Sequence, residues 1–148
     1  MVNGSFEAGA SGWIAYSSSG FQIIRSGSFG SVYTLSGSYL AWLGGGDNET
    51  GYLQQAVIVN PSLPYLTYYH WISSTDWCGY DFATLSIDGF TVSSYDLCSS
   101  TSTGGWVKKS INLSSYAGKA VLLRIGIEND YSLTSSLFLD NISFSATP

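Results

Sequence analysis

Apolar and polar residues alternate with a period of two along much of this chain. In VLLRIGIE (121–128), Val121, Leu123, Ile125 and Ile127 share one side, and Leu122, Arg124, Gly126 and Glu128 share the other. That is the signature of a strand with one buried face. In TLSIDG (84–89), Leu85 and Ile87 point inward and Thr84 and Ser86 outward. In LTYYHWI (66–72) the phase is ambiguous, because both rows carry aromatics. The row of Leu66, Tyr68, His70 and Ile72 is the better core candidate, which leaves Tyr69 and Trp71 on an outer sheet surface.

About ten short strands follow from such runs and the turn residues between them. They are predicted at Trp13–Tyr16, Phe21–Arg25, Ser38–Leu43, Gly51–Val59, Pro64–Ser73, Tyr80–Ile87, Phe90–Tyr95, Trp106–Leu113, Ala120–Ile127 and Leu137–Phe144. GGGDNET (44–50) and residues 99–105 read as loops, and SSYAG after Leu113 allows one helical turn at most. No repeat or long linker divides the chain, so residues 1–148 are expected to form one all-β domain, a sandwich or barrel.

Composition sharpens this picture. The 148 residues are 45% hydrophobic, 16% aromatic and only 10% charged, the opposite of a disordered segment. The net charge is −5 with five Lys and Arg residues. Nucleic-acid backbones and anionic membrane surfaces are therefore poor partners. No apolar run approaches the roughly 20 residues of a membrane-spanning helix, so membrane insertion is not expected. The N-terminal MVNGSFEAG does not read as a signal sequence, and the chain is expected to be an excised part of a longer secreted protein.

Asp88-Gly89 centres a strong two-residue hairpin signal. If Ile87 pairs with Phe90, Cys78 lies opposite Ser99 and Cys98 opposite Gly79. The two cysteines are then diagonal neighbours that a small bulge or loop adjustment would bring within bonding range. A Cys78–Cys98 disulfide is expected, with two buried free thiols as the alternative.

Catalytic motifs are missing: there is no HExxH, GxSxG, Walker or GxGxxG pattern. The single histidine, His70, sits among aromatics and reads as a core residue. Glycosidic chemistry needs two carboxylates flanking a bond. The candidates are Asp76, Asp81, Asp88, Asp96, Glu128 and Asp130, and none pairs convincingly across a groove. Asp88 has its turn role. Asp76, Asp81 and Asp96 gather near the open end of the hairpin, where they would shape a loop or bind a cation; Glu128 and Asp130 are close in sequence and open to the same reading. Asp47-Asn48-Glu49 reads as a solvated loop. An enzyme is not expected.

The order of several short segments resembles a known group. These are NGSFE (3–7) with Trp13, AWLGG (41–45), GYLQQAVIV (51–59), PYLTYYHWI (64–72), CGYDFATLSIDG (78–89), GWVKKSINLSSYAGKAVLLRIGI (105–127) and SSLFLDNISF (135–144). Together they are similar to bacterial extracellular jelly-roll accessory domains of the MAM-like and carbohydrate-binding-module-like group. The resemblance implies a two-sheet antiparallel jelly-roll β-sandwich appended to a catalytic or surface domain of the same parent chain. It also implies a structural Ca²⁺ ion held by Glu7 and Asp140, with Asn3, Ser5 or a carbonyl near Ser26 to Ser28 completing an oxygen shell; the alternative is that the two carboxylates simply accept backbone hydrogen bonds.

For such a domain the expected partner is a poly- or oligosaccharide. Flat aromatic rings match the weakly apolar faces of sugars, and amide, carboxylate or guanidinium groups match their hydroxyls. The expected ligand-binding residues are Tyr52, Gln54, Tyr69, Trp71, Thr84, Arg124 and Glu128 on a sheet face, and Trp77 at a loop mouth. Trp13, Trp42 and Trp106 are expected to be structural. The alternative is a structural or adhesive module of a larger secreted peptidase or cell-surface protein.

Overall fold

The computed structural model describes residues 1–148. Its strands are β1 (Ile14–Ser17), β2 (Ile24–Ser26), β3 (Tyr39–Gly44), β4 (Thr50–Ile58) and β5 (Tyr65–Ser74), then β6 (Phe82–Ile87), β7 (Phe90–Asp96), β8 (Val107–Asn112), β9 (Ala120–Glu128) and β10 (Ser135–Ser145). The only helical element is one 3₁₀ turn, Ser114–Tyr116. No helix is long and apolar enough to cross a membrane.

The strands form two antiparallel five-stranded sheets, ordered β1-β4-β9-β6-β7 and β2-β3-β10-β5-β8. They face one another as a β-sandwich, the architecture expected from the alternating pattern. The inner face of the first sheet supplies Leu53, Val57, Ala83, Leu85, Ile87, Val121, Leu123, Ile125 and Ile127; the second supplies Ala41, Leu43, Leu66, Tyr68, Ile72, Leu137 and Leu139. Burying each large aliphatic side chain contributes about 1.5–3 kcal/mol, so the two inner rows hold the sheets together.

The Asp88-Gly89 turn forms as predicted. Both residues have positive φ, 52° and 86°, as a type I′ hairpin requires. The Asp88 carboxylate accepts a hydrogen bond from the Leu122 amide at 2.8 Å, which pins the hairpin tip to β9. Ile87 pairs with Phe90, but Leu85 pairs with Ser93, so Val92 is an extra residue in β7. This bulge moves the register away from a Cys78–Cys98 pairing. The disulfide forms nonetheless, with the Cα atoms 5.0 Å apart, because the strands end at Phe82 and Asp96 and turns carry both cysteines.

The outer face of the second sheet is partly covered. Residues 27–38 fold over it and bury Val32 against Leu40, Trp71 and Phe138, with Phe29, Trp42 and Trp106 packed around them. The Trp106 indole donates to the Tyr33 carbonyl at 2.8 Å, and that of Trp42 donates to the Ser136 hydroxyl at 3.0 Å. The outer face of the first sheet has no such cover.

Candidate functional site

Cross-strand register on the open sheet decides which side chains meet. Tyr16 lies opposite Tyr52, Tyr52 opposite Gly126, and Gly126 opposite Thr84. The neighbouring rung runs Ile14, Gln54, Arg124 and Ser86. A third joins Thr50, Glu128, Phe82 and Asp96. Tyr52, Gln54, Thr84, Arg124 and Glu128 therefore share one surface.

The centre of this surface is preorganised. The Tyr16 and Tyr52 rings stack with centroids 5.1 Å apart. The Arg124 guanidinium lies 4.0 Å from the Tyr52 ring centroid. Gln54 Oε1 accepts from Arg124 Nε at 3.0 Å and from its terminal nitrogen at 2.7 Å. A planar guanidinium carries five N–H groups, so most of its donors remain for a ligand. Gly126 adds no side chain, leaving the surface low between Tyr52 and Thr84. The arrangement offers the exposed Tyr16 ring, backed by Tyr52, beside a fixed cluster of donors and acceptors. Its carboxylates do not converge: Glu128 and Asp96 flank Phe82 on one rung.

The other expected ligand residues lie elsewhere. Tyr69 and Trp71 project from β5 in the second sheet, so they do not join Thr84, Arg124 and Glu128. Trp71 is only 6% exposed and meets Tyr33 and Trp106 edge-on. Trp77, 74% exposed, stands on the loop after β5. There it lines an open cavity with Asp76, Tyr80, Asp130, Tyr131 and Leu133. Tyr16 is not among the expected ligand residues, although its strand-period spacing from Ile14 carries the signal; nor is Tyr131, which no local pattern marks.

Glu7 and Asp140 come close to the same segment, residues 35–39. The Glu7 carboxylate accepts from the amides of Ser38 and Tyr39, and that of Asp140 from those of Leu35, Ser36 and Asn141. Burial pushes the Asp140 carboxyl up, and the Glu7 charge adds to this against the opposing amide hydrogen bonds. Every oxygen of the pair thus has a backbone donor. Asn3 turns away to clamp the first turn through Ala8, Gly9 and Ser11. As arranged, the Glu7 and Asp140 carboxylates anchor residues 35–39 through backbone amides.

A second acidic group does have the form of a metal site. One carboxylate oxygen from each of Asp76, Asp81 and Asp130 lies within 4.8 Å of the others. Burial pushes the Asp81 carboxyl above its ordinary range, and the charges of Asp76 and Asp130 act the same way against hydrogen bonds that lower it. This group could hold a metal ion. Glu49 corrects the reading of its loop as solvated. It is buried and accepts from Ser17, Ser18 and the Ser19 amide. Burial pushes its carboxyl up, but those serine hydrogen bonds together hold it below the usual range.

The sequence matches no family profile and no curated protein. Its fold matches solved structures over nearly their whole length. TmCBM61, a carbohydrate-binding module solved in complex with β-1,4-galactotriose, has a TM-score of 0.68 at 14% identity, covering 97% of this chain and 95% of that one. The K2 cleaved adhesin domain of Lys-gingipain gives 0.64 at 16% identity, covering 95% and 96%. CBM28, a carbohydrate-binding module specific for non-crystalline cellulose, gives 0.63 at 15% identity, covering 98% and 93%. A cyclase from Fischerella sp. TAU shares the fold more distantly, with a TM-score of 0.56 at 16% identity over 100% and 96%. The chain is a β-sandwich of the kind found in carbohydrate-binding modules and adhesin domains, a fold that hosts more than one function.

Proposed function

We propose that this chain is a non-catalytic carbohydrate-binding module that takes an oligo- or polysaccharide on the outer face of its β1-β4-β9-β6-β7 sheet. The observation that carries the reading is the platform of Tyr16, Tyr52, Gln54 and Arg124. Stacked rings offer apolar area with little flexibility to lose. The guanidinium, held by Gln54 and the Tyr52 ring, offers oriented donors to sugar hydroxyls. Thr84 and Glu128 extend the polar contacts along the sheet. Likeness in fold to modules solved with or for β-linked glycans supports the same class of ligand. The disulfide supports an extracellular setting, where such a module would serve a catalytic or surface domain of the same parent chain.

One observation favours an adhesive module instead. Ile14, Ile58, Phe90 and Leu122 are exposed apolar side chains on or beside the same sheet, and a contiguous apolar patch there would mark a protein contact surface.

The test is a glycan array followed by calorimetry on the wild type, Tyr52→Ala and Arg124→Ala. Saturable binding to one glycan class, weakened at least about tenfold (~1.4 kcal/mol) in each folded variant, is the expected result. A wild type that binds no plant, fungal or bacterial glycan would move the assignment to the adhesive reading.

A further inference from the structure

We propose that Asp76, Asp81 and Asp130 bind a calcium ion that locks together the loops at one end of the sandwich. Two independent features point to it. The first is the convergence of three carboxylates within 4.8 Å, a spread that one ion bridges at the usual Ca–O distance of about 2.3–2.6 Å. The second is a set of oxygens left without partners. Asp76 and Asp81 are 3% and 0% exposed, yet Oδ2 of each is buried and accepts no hydrogen bond. Their other oxygens are engaged, Asp76 Oδ1 by the Trp77 amide at 2.7 Å and Asp81 Oδ1 by the Asp130 amide at 2.7 Å.

A buried carboxylate oxygen with no donor costs a folded protein several kcal/mol unless a proton or cation compensates it. No Lys, Arg or His side chain donates to any of the three. The donors are all hard oxygens, because the nearby cysteines are joined as a disulfide and His70 belongs to the core. Such a set suits calcium rather than zinc or copper. Asp130 is only partly buried, so water and loop carbonyls can complete the coordination.

The ligands come from different parts of the chain. Asp76 and Asp81 lie near the two ends of the β5–β6 loop, and Asp130 is the second residue of the β9–β10 loop. The Asp130 carbonyl accepts from the Asn48 amide of the β3–β4 loop. These loops present Trp77, Tyr80 and Tyr131, each more than half exposed, so one ion would order all three rings. The inference does not rest on sugar binding.

The experiment is a calcium titration of the whole chelator-treated chain, read by calorimetry and by thermal unfolding. The expected result is one saturable site in the range of extracellular modules, about 0.1–1 mM or tighter, and a rise of several degrees in Tm at saturation. Asp81→Asn and Asp130→Asn should lose both signals; the half-exposed Asp130 supplies the answer if the Asp81 variant fails to fold. No heat and no Tm change in the wild type at ~10 mM calcium, well above that range, would overturn the proposal. So would binding that survives in Asp81→Asn and Asp130→Asn but is lost in Glu7→Gln, which would assign the ion to the Glu7–Asp140 pair.

Discussion

At the residue scale, His70 links the core to pH. Burial first, and the Lys109 charge second, hold its imidazole at about 4, against 6.5 for an exposed histidine. Between those values the unfolded chain binds a proton that the folded chain refuses. Stability is therefore full above about pH 6.5 and falls as pH drops towards 4. Allowing for solvent screening, the loss is about 2 kcal/mol. Urea unfolding at about pH 7 and about pH 5 should show about half of this loss, ~1 kcal/mol, in the wild type and much less of it in His70→Phe. Glu49 acts in the same direction lower down, where protonation below its ordinary 4.5 releases the serine cage. Gly4 is a second single-residue determinant. A Cβ there would sit 1.8 Å from the Ile142 carbonyl oxygen, and the Ile142 amide donates to the Gly4 carbonyl. Gly4→Ala should cost about 2 kcal/mol or more, read as a fall in Tm, because backbone rather than a flexible side chain must yield. The burial of His70 was legible from alternation along one strand. The clash at Gly4 was not, since it depends on a chain segment 138 residues away.

At the element scale, strands with one clean apolar row were legible to within a residue or two. β9 and β6 were read with the correct faces because each contrasts an apolar row with a polar one. β2 starts later than the pattern predicts: a turn at Ser18-Ser19, closed by the Gly20 amide on the Ser17 carbonyl and the Phe21 amide on the Ser17 hydroxyl, delays the strand to Ile24. The Cys78–Cys98 bond was expected from the Asp88-Gly89 hairpin, yet the Val92 bulge shifts that register and the flanking turns supply the fit. The bond closes a loop with a sequence separation of 20. Chain-entropy arguments give such a crosslink about 3 kcal/mol. The Cys78→Ser, Cys98→Ser double variant should unfold at correspondingly lower denaturant with an intact fold. Unchanged stability would mean that Ser74, Thr101 and Ser102 hold these turns without it.

At the scale of the whole molecule, the decisive asymmetry is which sheet is left open. β5 has aromatics on both faces, and its sequence cannot say whether Tyr69 and Trp71 meet solvent. Part of the answer lies in residues 27–38, which fold back over that surface around Trp71 and Phe138; Tyr69 stays partly exposed. The acidic triad is half legible in the sequence: the hairpin signal gathers Asp76 and Asp81, but Asp130 joins them only through sheet topology. Covering one sheet also separates two roles that a surface tryptophan would have combined. Removing a buried tryptophan costs about 3–5 kcal/mol through lost burial and a residual cavity. Trp71→Ala should therefore lower stability by that order while leaving glycan affinity within about twofold of wild type under folding conditions, a difference of ~0.4 kcal/mol. Tyr52→Ala should do the reverse, because its partly buried ring lies outside the core. Stability and affinity measured on the same four proteins, wild type, both single variants and the double, should give independent, additive effects. A loss of affinity in folded Trp71→Ala would return the binding site to the second sheet, and the segment 27–38 would then be a cover that moves.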